Sequence, residues 1–560
     1  MKKYALYFIA FLIFCLFCIF PHIISAQITF EKTYGGSNQD YGSSVEQTTD
    51  GGYIIAGRTS SFDIANGDVY LIKIDSIGDT IWTKTYGWIA ADYGYSVQQT
   101  IDGGYIVAGE TGADFYLIKT NAIGDTLWTK AYGGLSGEYG YSVQQTTDSG
   151  YIIAGFSNVA FNNDVYLIKT TSLGDTVWTK LYGGNFSDQG NSVKQTTDGG
   201  YIIVGNTSSF GAGNADVYLI KTNSVGDTIW TKTYGGIFSD VGMSVQQTTD
   251  GGYIIVGYTL SFGAGNADVY LIKTNLVGDT LWTKTYGGIW DEWGYSVRQT
   301  TDSGYIIVGY TDIFGDDDVY LIKTNSVGDT LWTKTYDGTS TEVGYSIQQT
   351  IDGGYIIVGE TKSFGAGSDD VYLIKTDSLG CVYPNSTFTY VDLGMIVSFY
   401  TSPMSNSLWH WDFGDGDSSI LQNPSHVYSN GTYYVCLEVT NPCGTDIYCD
   451  SVTVLVIGVK EKKLSNSILV SPNPFSTSTE IFLHPVISTP STRGEKSYHL
   501  ELYDILGRNV VTSLANTQSN SQGAEVSFEL QRGSLPEGLY IFHIKNENQT
   551  IATGKLIVHN

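Results

Sequence analysis

The sequence predicts an all-β fold whose largest part is a seven-bladed β-propeller with four strands per blade. A segment of about fifty residues repeats between Phe30 and Leu379, and its anchoring aromatic residue recurs every 46 to 52 residues. Repeats of this length, built from short β-rich runs, are typical of propellers and other repeat arrays. The anchor positions are Phe30, Trp82, Trp128, Trp178, Trp230, Trp282 and Trp332.

Each repeat contains four runs with strand character, which we name a, b, c and d. Strand a has the pattern SVQQT and is separated from strand b, YIIVG, by a tight Thr-Asp-Gly-Gly turn. Strand c, DVYLIKT, and strand d, TLWTKTY, follow after a loop of variable length and a short turn. β-Branched and aromatic residues with glycine punctuation, and no helical period, indicate an all-β unit.

The phase of the repeats favours a closed ring over an open stack. The seventh strand c begins at Asp370, and no strand d follows it before Cys381. An isolated strand d, Ile28–Gly36, stands at the front of the repeats without its own a, b and c. If this N-terminal strand supplies the missing strand d of the last blade, the ring closes and no sheet edge is left open. The sequence therefore predicts a closed propeller over residues 27–382.

Residues 1–26 have the pattern of a secretory signal peptide. Lys2 and Lys3 precede the apolar stretch Tyr4–Phe20, and Ala26 ends a plausible cleavage site. The alternative is a retained anchor, although the apolar stretch falls just short of a full membrane span. No later apolar run is long enough to cross a membrane, so we expect no transmembrane segment after cleavage. Cleavage changes the net charge from −27 to −29, which disfavours nucleic acid as a partner.

Absent residue types exclude several kinds of site in the repeats. Between Gln27 and Gly380 there is no His and no Cys, and the only arginines are Arg58 and Arg298. This excludes Ser-His-Asp and Cys-His catalysis, and zinc or copper sites that need imidazole or thiolate ligands. It also excludes an arginine cluster of the sialidase type. Carboxylate, amide and aromatic chemistry remains.

An acidic residue stands two positions before a Gly at the start of strand a in every repeat. Because strand a is innermost in a propeller, seven such carboxylates near the channel could hold a cation such as Ca²⁺ or attract a basic partner. The alternative, which the sequence favours, is that each carboxylate accepts backbone N–H groups within its own loop. The residues of this acidic ring are Asp40, Asp92, Glu138, Asp188, Asp240, Glu292 and Glu342.

The d–a and b–c loops differ among the repeats, and both lie on the same face of a propeller. Aromatic residues beside carboxylates suit a sugar or a protein ligand. Tyr95, Tyr141 and Tyr295 could equally pack between neighbouring blades. The candidate ligand-binding residues on this face are Trp88, Tyr93, Tyr139, Trp290 and Trp293.

Four cysteines remain after the signal segment, and all lie beyond the repeats. An even number in an exported chain suggests two disulfides, for which three connectivities are possible. A hairpin around Asn441–Gly444 would place Cys436 opposite Cys449 and leave Cys381 to pair with Cys443.

Residues 383–457 carry a second set of motifs. They are Trp409–Gly416 (WHWDFGDG), Asn423–Tyr428 (NPSHVY) and Gly431–Val435 (GTYYV). The segment resembles a PKD domain, and the resemblance implies an immunoglobulin-like β-sandwich. Domains of this family act mainly as spacers or as contact modules for proteins and carbohydrates.

A charged linker, 458–470, leads into the last segment, 471–560. Its motifs are Ser471–Phe475 (SPNPF), Leu502–Arg508 (LYDILGR), Leu535–Tyr540 (LPEGLY) and Gly554–Val558 (GKLIV). This segment resembles the type A sorting domain of the Bacteroidota type IX secretion system. The resemblance implies a second immunoglobulin-like sandwich, engagement of the type IX machinery, and a final location in the medium or on the outer-membrane surface.

These features favour an exported, non-catalytic binding or adhesion protein. The propeller would be the platform for a glycan or protein ligand, the PKD-like segment a spacer, and the C-terminal domain the export signal. One alternative is a carboxylate-dependent glycan hydrolase or lyase; the near-identity of the blades argues against it, since catalysis normally needs unlike residues in one or two blades. Another is a purely structural surface component.

Overall fold

The computed structural model describes residues 27–455 except 63–66, 88–89, 113, 135–136, 160–161, 314 and 403. Beyond these it describes 467–471, 478–484, 498–504, 507–514, 516–520, 523–533, 535–546 and 549–558. The predicted signal segment lies outside the described residues. The chain divides into two compact units, Met1–Val454 and Leu455–Asn560.

The repeats form seven four-stranded antiparallel sheets, each with its strands in the order a, b, c, d. The a strands are Asp40–Gln47, Asp92–Gln99, Glu138–Gln145, Asp188–Gln195, Asp240–Gln247, Glu292–Gln299 and Glu342–Gln349. The b strands are Tyr53–Thr59, Tyr105–Thr111, Tyr151–Val159, Tyr201–Thr207, Tyr253–Thr259, Tyr305–Ile313 and Tyr355–Thr361. The c strands are Asp68–Ile74, Asp114–Thr120, Asn162–Thr170, Asp216–Thr222, Asp268–Thr274, Asp316–Thr324 and Asp370–Thr376. The d strands are Thr80–Tyr86, Thr126–Tyr132, Thr176–Tyr182, Thr228–Tyr234, Thr280–Tyr286, Thr330–Tyr336 and, in blade 7, Phe30–Tyr34.

The ring closes as the phase of the repeats predicts. Strand Phe30–Tyr34 pairs antiparallel with Asp370–Thr376, with Phe30 opposite Lys375 and Tyr34 opposite Val371. Each a strand contacts the a strands of its two neighbours, and that of blade 7 contacts that of blade 1. The prediction of a closed seven-bladed propeller is confirmed, and strand a is the innermost strand.

Apolar contacts between blades explain the repeated aromatic anchor. In blade 1 strands b and c are buried on both faces, whereas strand d is largely exposed. The Trp82 ring contacts the edge of Tyr105 in the next blade at 5.9 Å between centroids, and the other five anchor tryptophans repeat this contact at 5.9–6.1 Å. Trp82 also covers Gly124, whose φ of +80° and lack of space for a Cβ both require glycine.

An ion pair between a buried Lys and a partly exposed Asp fixes the a–b turn of every blade. In blade 4 the buried Lys221 ammonium lies 2.9 Å from an Asp198 carboxylate oxygen. Asp198 also accepts hydrogen bonds from the Thr196 hydroxyl and the Gly200 N–H. Burial alone would raise the pKa of Asp198, but the hydrogen bonds and Lys221 outweigh it and lower the pKa to about 2. The repeated turn Asp is therefore structural.

The segment after the propeller is a two-sheet sandwich. One sheet contains Phe388–Asp392, Ile396–Thr401 and Ser425–Val427. The other contains Ser418–Ser419, Leu408–Asp412, Gly431–Asn441 and Gly444–Val454. Its core includes Trp411, which is fully buried, and Phe413.

Two disulfides are present, with the pairing that the hairpin argument gives. Cys436–Cys449 crosses the hairpin around Asn441–Gly444. Cys381–Cys443 joins the end of the repeats to the sandwich. The second bridge therefore fastens the sandwich to blade 7.

A buried carboxylate forms the centre of the junction between blade 7 and the sandwich. Glu31, on the closing strand, accepts hydrogen bonds from the Ser405 N–H and hydroxyl, both at 2.8 Å, and from the Tyr372 hydroxyl at 2.6 Å. Burial raises the pKa of Glu31, and these hydrogen bonds oppose the rise only in part. Asn406 adds a hydrogen bond to the Thr335 carbonyl at 2.9 Å.

The C-terminal unit is also a sandwich of two four-stranded sheets. One sheet contains Ser467–Ser471, Ser478–His484, Gly523–Gln531 and Asn516–Asn520. The other contains Asn509–Leu514, Tyr498–Tyr503, Gly538–Asn546 and Gln549–Val558. Ile481 and Phe528 of the first sheet pack with Leu500 and Phe542 of the second. Within the described parts of the chain, no helix is long and apolar enough to span a membrane.

The closing strand supplies a first prediction. Phe30 packs with Tyr53, Ile55 and Leu373 across the closure, so Phe30→Ala should lower the free energy of unfolding by about 3–5 kcal/mol. The matched control is Lys32→Ala on the same strand, whose ion pair with Asp79 is partly exposed and contributes about 1 kcal/mol or less. Calorimetric melting of both variants measures the difference. Equal melting temperatures would contradict the role of the closing strand.

Glu31 supplies a second prediction, on pH dependence. The folded-state pKa of Glu31 is raised, so the protonated carboxyl stabilises the fold. This contribution to the free energy of unfolding is fully present below the ordinary Glu pKa of about 4.3 and is lost as pH rises through the folded-state pKa. The side chain introduced by Glu31→Gln cannot ionise. The melting temperature of the variant minus that of the wild type should therefore increase as pH rises from about 4 to 8. Parallel melting profiles over this range would refute the assignment.

Candidate functional site

A β-bulge occurs near the start of every a strand. In blade 2 the pairing with strand b slips between Gly94 and Ser96, so the residue between them has no partner, and the other six blades repeat this slip. Bulges re-aim side chains and are common beside functional sites. The bulge residues are Ser43, Tyr95, Tyr141, Asn191, Met243, Tyr295 and Tyr345.

Two more variable positions flank the bulge. One lies just before the repeated Gly of strand a: Tyr41, Tyr93, Tyr139, Gln189, Val241, Trp293 and Val343. The other lies opposite it on strand b: Arg58, Glu110, Phe156, Asn206, Tyr258, Tyr310 and Glu360. Because the a strands surround the axis, these three rings encircle the end of the channel beside the d–a loops. We call the three rings together the channel mouth.

Aromatic side chains form a continuous cluster on one side of the mouth. Tyr93 stacks on Tyr95 at 5.8 Å, and Tyr95 contacts Tyr141 of the next blade at 5.1 Å. Tyr139 stacks on Phe156 at 4.6 Å. The Arg58 guanidinium lies 4.6 Å from the centre of the Tyr93 ring, in cation–π contact.

A second aromatic cluster occupies blades 5 to 7. Trp293 stacks on Tyr258 of the preceding blade with 3.9 Å between ring centres. Tyr295 contacts Tyr345 of the following blade at 5.1 Å. The Trp293 indole N–H is buried and has no hydrogen-bond partner among the described residues. Blade 4, with Gln189, Asn191 and Asn206, separates the two clusters and has no aromatic residue in the three rings.

Two carboxylates lie beside the aromatic clusters. The Tyr95 hydroxyl donates to Glu110 at 3.2 Å, and the Tyr345 hydroxyl donates to Glu360 at 3.0 Å. Burial raises the pKa of both Glu110 and Glu360, and the tyrosine hydrogen bonds oppose this rise. The mouth therefore offers aromatic faces beside hydroxyl and carboxyl groups, a combination that suits a ligand with both C–H surfaces and hydroxyls.

The structure places the sequence-predicted aromatics unequally. Tyr93, Tyr139 and Trp293 lie in the mouth. Trp290 lies outside the rings, in the d–a loop of blade 6, with 39% of its surface exposed. Trp88 lies outside the described residues. Tyr95, Tyr141 and Tyr295 contact neighbouring blades and also line the mouth, so packing between blades does not conflict with ligand binding, which stays a prediction.

Sequence reasoning missed the residues that complete the mouth. These are Tyr41, Arg58, Glu110, Phe156, Tyr258, Tyr310, Tyr345 and Glu360. Comparing the repeats column by column gives the signal that finds them, because the positions next to the two repeated Gly residues are the ones that vary. Only the bulge and the a–b pairing show that these columns meet.

The carboxylates of the acidic ring face their own loops. Asp188 is fully buried and accepts hydrogen bonds from the Gly184 N–H at 2.8 Å and the Ser209 hydroxyl at 2.7 Å. Asp240 and Glu292 likewise accept from the N–H of Gly236 and Gly288. None of the seven belongs to the described residues that line the channel cavity. This geometry favours the structural role that the sequence analysis favoured, and a calcium ion shared by the ring stays an expectation.

One group of potential metal ligands lies in the sandwich after the repeats. Asp415, Asp417 and His426 place one ligand atom each within 4.8 Å of one another. His426 is already hydrogen-bonded to Asp415 at 2.7 Å and stacks on Phe413 at 4.2 Å. These contacts explain His426 as part of the sandwich without a metal.

Two segments match known domain families. Residues 393–456 match the PKD domain, and residues 469–559 match the secretion system C-terminal sorting domain. Among curated proteins, none matches the chain.

Similar solved structures cover the sandwich and the repeats separately. The PKD1 domain of Vibrio anguillarum Epp is 29% identical over 13% of this chain and 93% of its own, with a TM-score of 0.12. Sqt1 from Chaetomium thermophilum is 8% identical over 75% of this chain and 100% of its own, with a TM-score of 0.38. Drosophila Plexin A, solved with Semaphorin 1b, is 9% identical over 61% and 86%, with a TM-score of 0.37. Likenesses of this strength carry no functional argument.

The domain matches agree with the sheets that the structure describes. Seven propeller-like sheets precede a sandwich at the PKD match, and a second sandwich covers the sorting-domain match. The sorting domain marks proteins that the type IX system releases or attaches to the cell surface. The chain is therefore a protein exported by the type IX secretion system. Its propeller repeat region precedes a PKD domain and a C-terminal sorting domain.

Proposed function

We propose that this protein is a non-catalytic binding protein that holds a glycan at the channel mouth of its propeller. The observation that carries the proposal is where the blades differ. Positions that build the blade are nearly identical in all seven repeats, whereas the three rings of the mouth vary. Eleven of these 21 positions are aromatic, a density that packing between otherwise identical blades does not require.

The chemistry of the mouth fits a sugar better than a small apolar molecule. Aromatic faces contact the C–H faces of sugar rings, and nearby polar groups take the hydroxyls. The half-buried Tyr95 and Tyr345 supply both functions, because their rings face the cluster while their hydroxyls bond Glu110 and Glu360. A protein ligand could use the same surface, so it is an alternative outcome of the test.

Two features support binding over catalysis. Glu110 and Glu360 lie on blades 2 and 7, and each is already engaged by a tyrosine hydroxyl. The repeats also lack His and Cys, so any acid–base chemistry would fall to carboxylates, tyrosines or lysines. In this proposal the PKD domain acts as a spacer, and the sorting domain acts only in export.

Trp293 provides the test of this function. Trp293→Ala removes the largest aromatic face of the second cluster, and we expect about a tenfold loss of affinity, which corresponds to about 1.4 kcal/mol. A glycan array with the mature full-length chain identifies the ligand, and isothermal titration of the best oligosaccharide measures the loss. The control is Ile101→Ala, which changes an 88% exposed side chain in an a–b turn at the opposite end of strand a.

The outcomes separate the proposed function from its alternatives. Equal affinities of Trp293→Ala and the wild type, at unchanged melting temperature, would place the ligand elsewhere. An array without any bound glycan would favour a protein ligand or a structural role. Release of shortened sugars that disappears in Glu110→Gln or Glu360→Gln would favour the enzyme.

A further inference from the structure

The channel contains a second ring of seven equivalent side chains, deeper than the mouth. They line a cavity of about 420 Å³, together with Ser44, Ser96 and the a–b turn residue Thr197. We name this set the channel ring. Its members are Glu46, Gln98, Gln144, Lys194, Gln246, Arg298 and Gln348.

Five members of the channel ring link neighbouring blades. The Gln98 side-chain oxygen accepts the backbone N–H of Gln145 in the next blade at 2.6 Å, and Gln144 accepts that of Gln195 at 2.6 Å. Gln246 and Gln348 make the same bond at 2.8 and 2.7 Å, and Glu46 makes it through a carboxylate oxygen. This repeated bond, which we call the interblade clasp, explains why glutamine is the commonest residue of the ring.

Lys194 and Arg298 cannot form the clasp. Their side chains carry only donors, so the N–H groups of Gln247 and Gln349 receive no acceptor from the ring. Arg298 donates to the Val297 carbonyl at 2.8 Å instead. Lys194 has no hydrogen-bond or ion-pair partner among the described residues. Two clasps are lost and two cations share one cavity, which a structural role does not explain.

The electrostatics of the cavity oppose those of the whole chain. The chain has a net charge of −27, yet two cations and one carboxylate, Glu46, are the charged side chains among the described lining residues. Burial and the neighbouring Arg298 lower the pKa of Lys194 to about 8, and Glu46 opposes this shift. Burial raises the pKa of Glu46, so at pH 7 the two cations are balanced by one carboxylate at most.

The glutamines supply donors as well. Because each clasp occupies the side-chain oxygen, the amide NH₂ groups of Gln98, Gln144, Gln246 and Gln348 stay available to the cavity. Cations with neutral N–H donors are the groups that carboxylate and sulfate oxygens bind.

We propose that the channel ring binds a small anionic group, a carboxylate or a sulfate, between Lys194 and Arg298. The site lies toward the a–b turns and is separate from the mouth, so it does not depend on the proposed glycan site. The anion replaces the missing acceptors and balances the excess charge. Its source is a free oxyanion or the acidic group of a sugar.

The test uses the mature full-length protein and the double variant Lys194→Gln/Arg298→Gln. The probes are sodium sulfate and galacturonic acid, with sodium chloride at equal ionic strength and galactose as controls. We expect titration calorimetry to detect both probes, or one of them, with wild type, and the double variant to bind at least tenfold more weakly. The double variant should melt no lower than wild type, because glutamine restores both clasps.

Further variants, a change of pH and a comparison of the two probes distinguish the proposed site from its alternatives. Arg298→Lys keeps the charge and should retain binding, and Glu46→Gln should tighten it. Binding should weaken from pH 7 to 9, because Lys194 loses its proton there. Among the described lining residues the other charged groups are Arg298, whose pKa burial lowers, and Glu46, whose pKa burial raises, and loss of a proton from either would also weaken anion binding. Sulfate alone would identify a free oxyanion, whereas tighter binding of galacturonic acid would identify an acidic sugar. Equal affinities in wild type and the double variant, or no binding beyond that of chloride, would overturn the proposal.

Discussion

Strand d of blade 7 comes from the opposite end of the repeat region, so the backbone pairing of Phe30–Tyr34 with Asp370–Thr376 holds the ring shut. An open ring would expose the edge of Asp370–Thr376 and the apolar side chains that it presents. The channel, its mouth and the channel ring exist only because the a strands meet around an axis. The same strand carries Glu31, so closure of the ring and attachment of the sandwich share one segment of five residues.

The residues that recur in every blade have partners within the fold, and these partners explain why the residues recur. The turn Asp has Thr, Gly and Lys partners, residues of the acidic ring accept hydrogen bonds from loop N–H groups and hydroxyls, and the anchor Trp contacts the Tyr of the next blade. Such residues repeat because each blade needs the same contacts. At the mouth the bulge removes one residue from the ladder, and that residue can vary without disturbing the sheet.

Much of the fold could be predicted from the sequence because its signals are local or periodic. Period and phase predicted seven blades and the closing strand, and the spacing around Asn441–Gly444 indicated how the cysteines pair. The site could not be predicted as fully, because it depends on which columns of the repeat face the axis. A slip of one residue between Gly94 and Ser96 turns Tyr95 toward the channel, and no residue type announces that slip. Burial of Glu31 against Ser405, 374 residues away, is equally invisible in the sequence.

The two ends of the channel differ in character although the same seven strands form both. Near the start of each a strand the variable residues are mainly aromatic, and their polar partners are tyrosine hydroxyls and carboxylates. Near the end of the strand most side chains of the channel ring are amides that clasp the next blade, and Glu46, Lys194 and Arg298 are the charged ones among the described residues that line the cavity. Duplication of one blade would have made both ends sevenfold symmetric. Substitutions among the aromatic residues of the mouth leave the backbone pairing of the strands intact. Each cation of the channel ring, by contrast, removes an interblade hydrogen bond, so substitutions in the channel ring are harder to tolerate. That asymmetry is why we expect the channel ring, although it holds fewer unusual residues, to be the more specific of the two proposed sites.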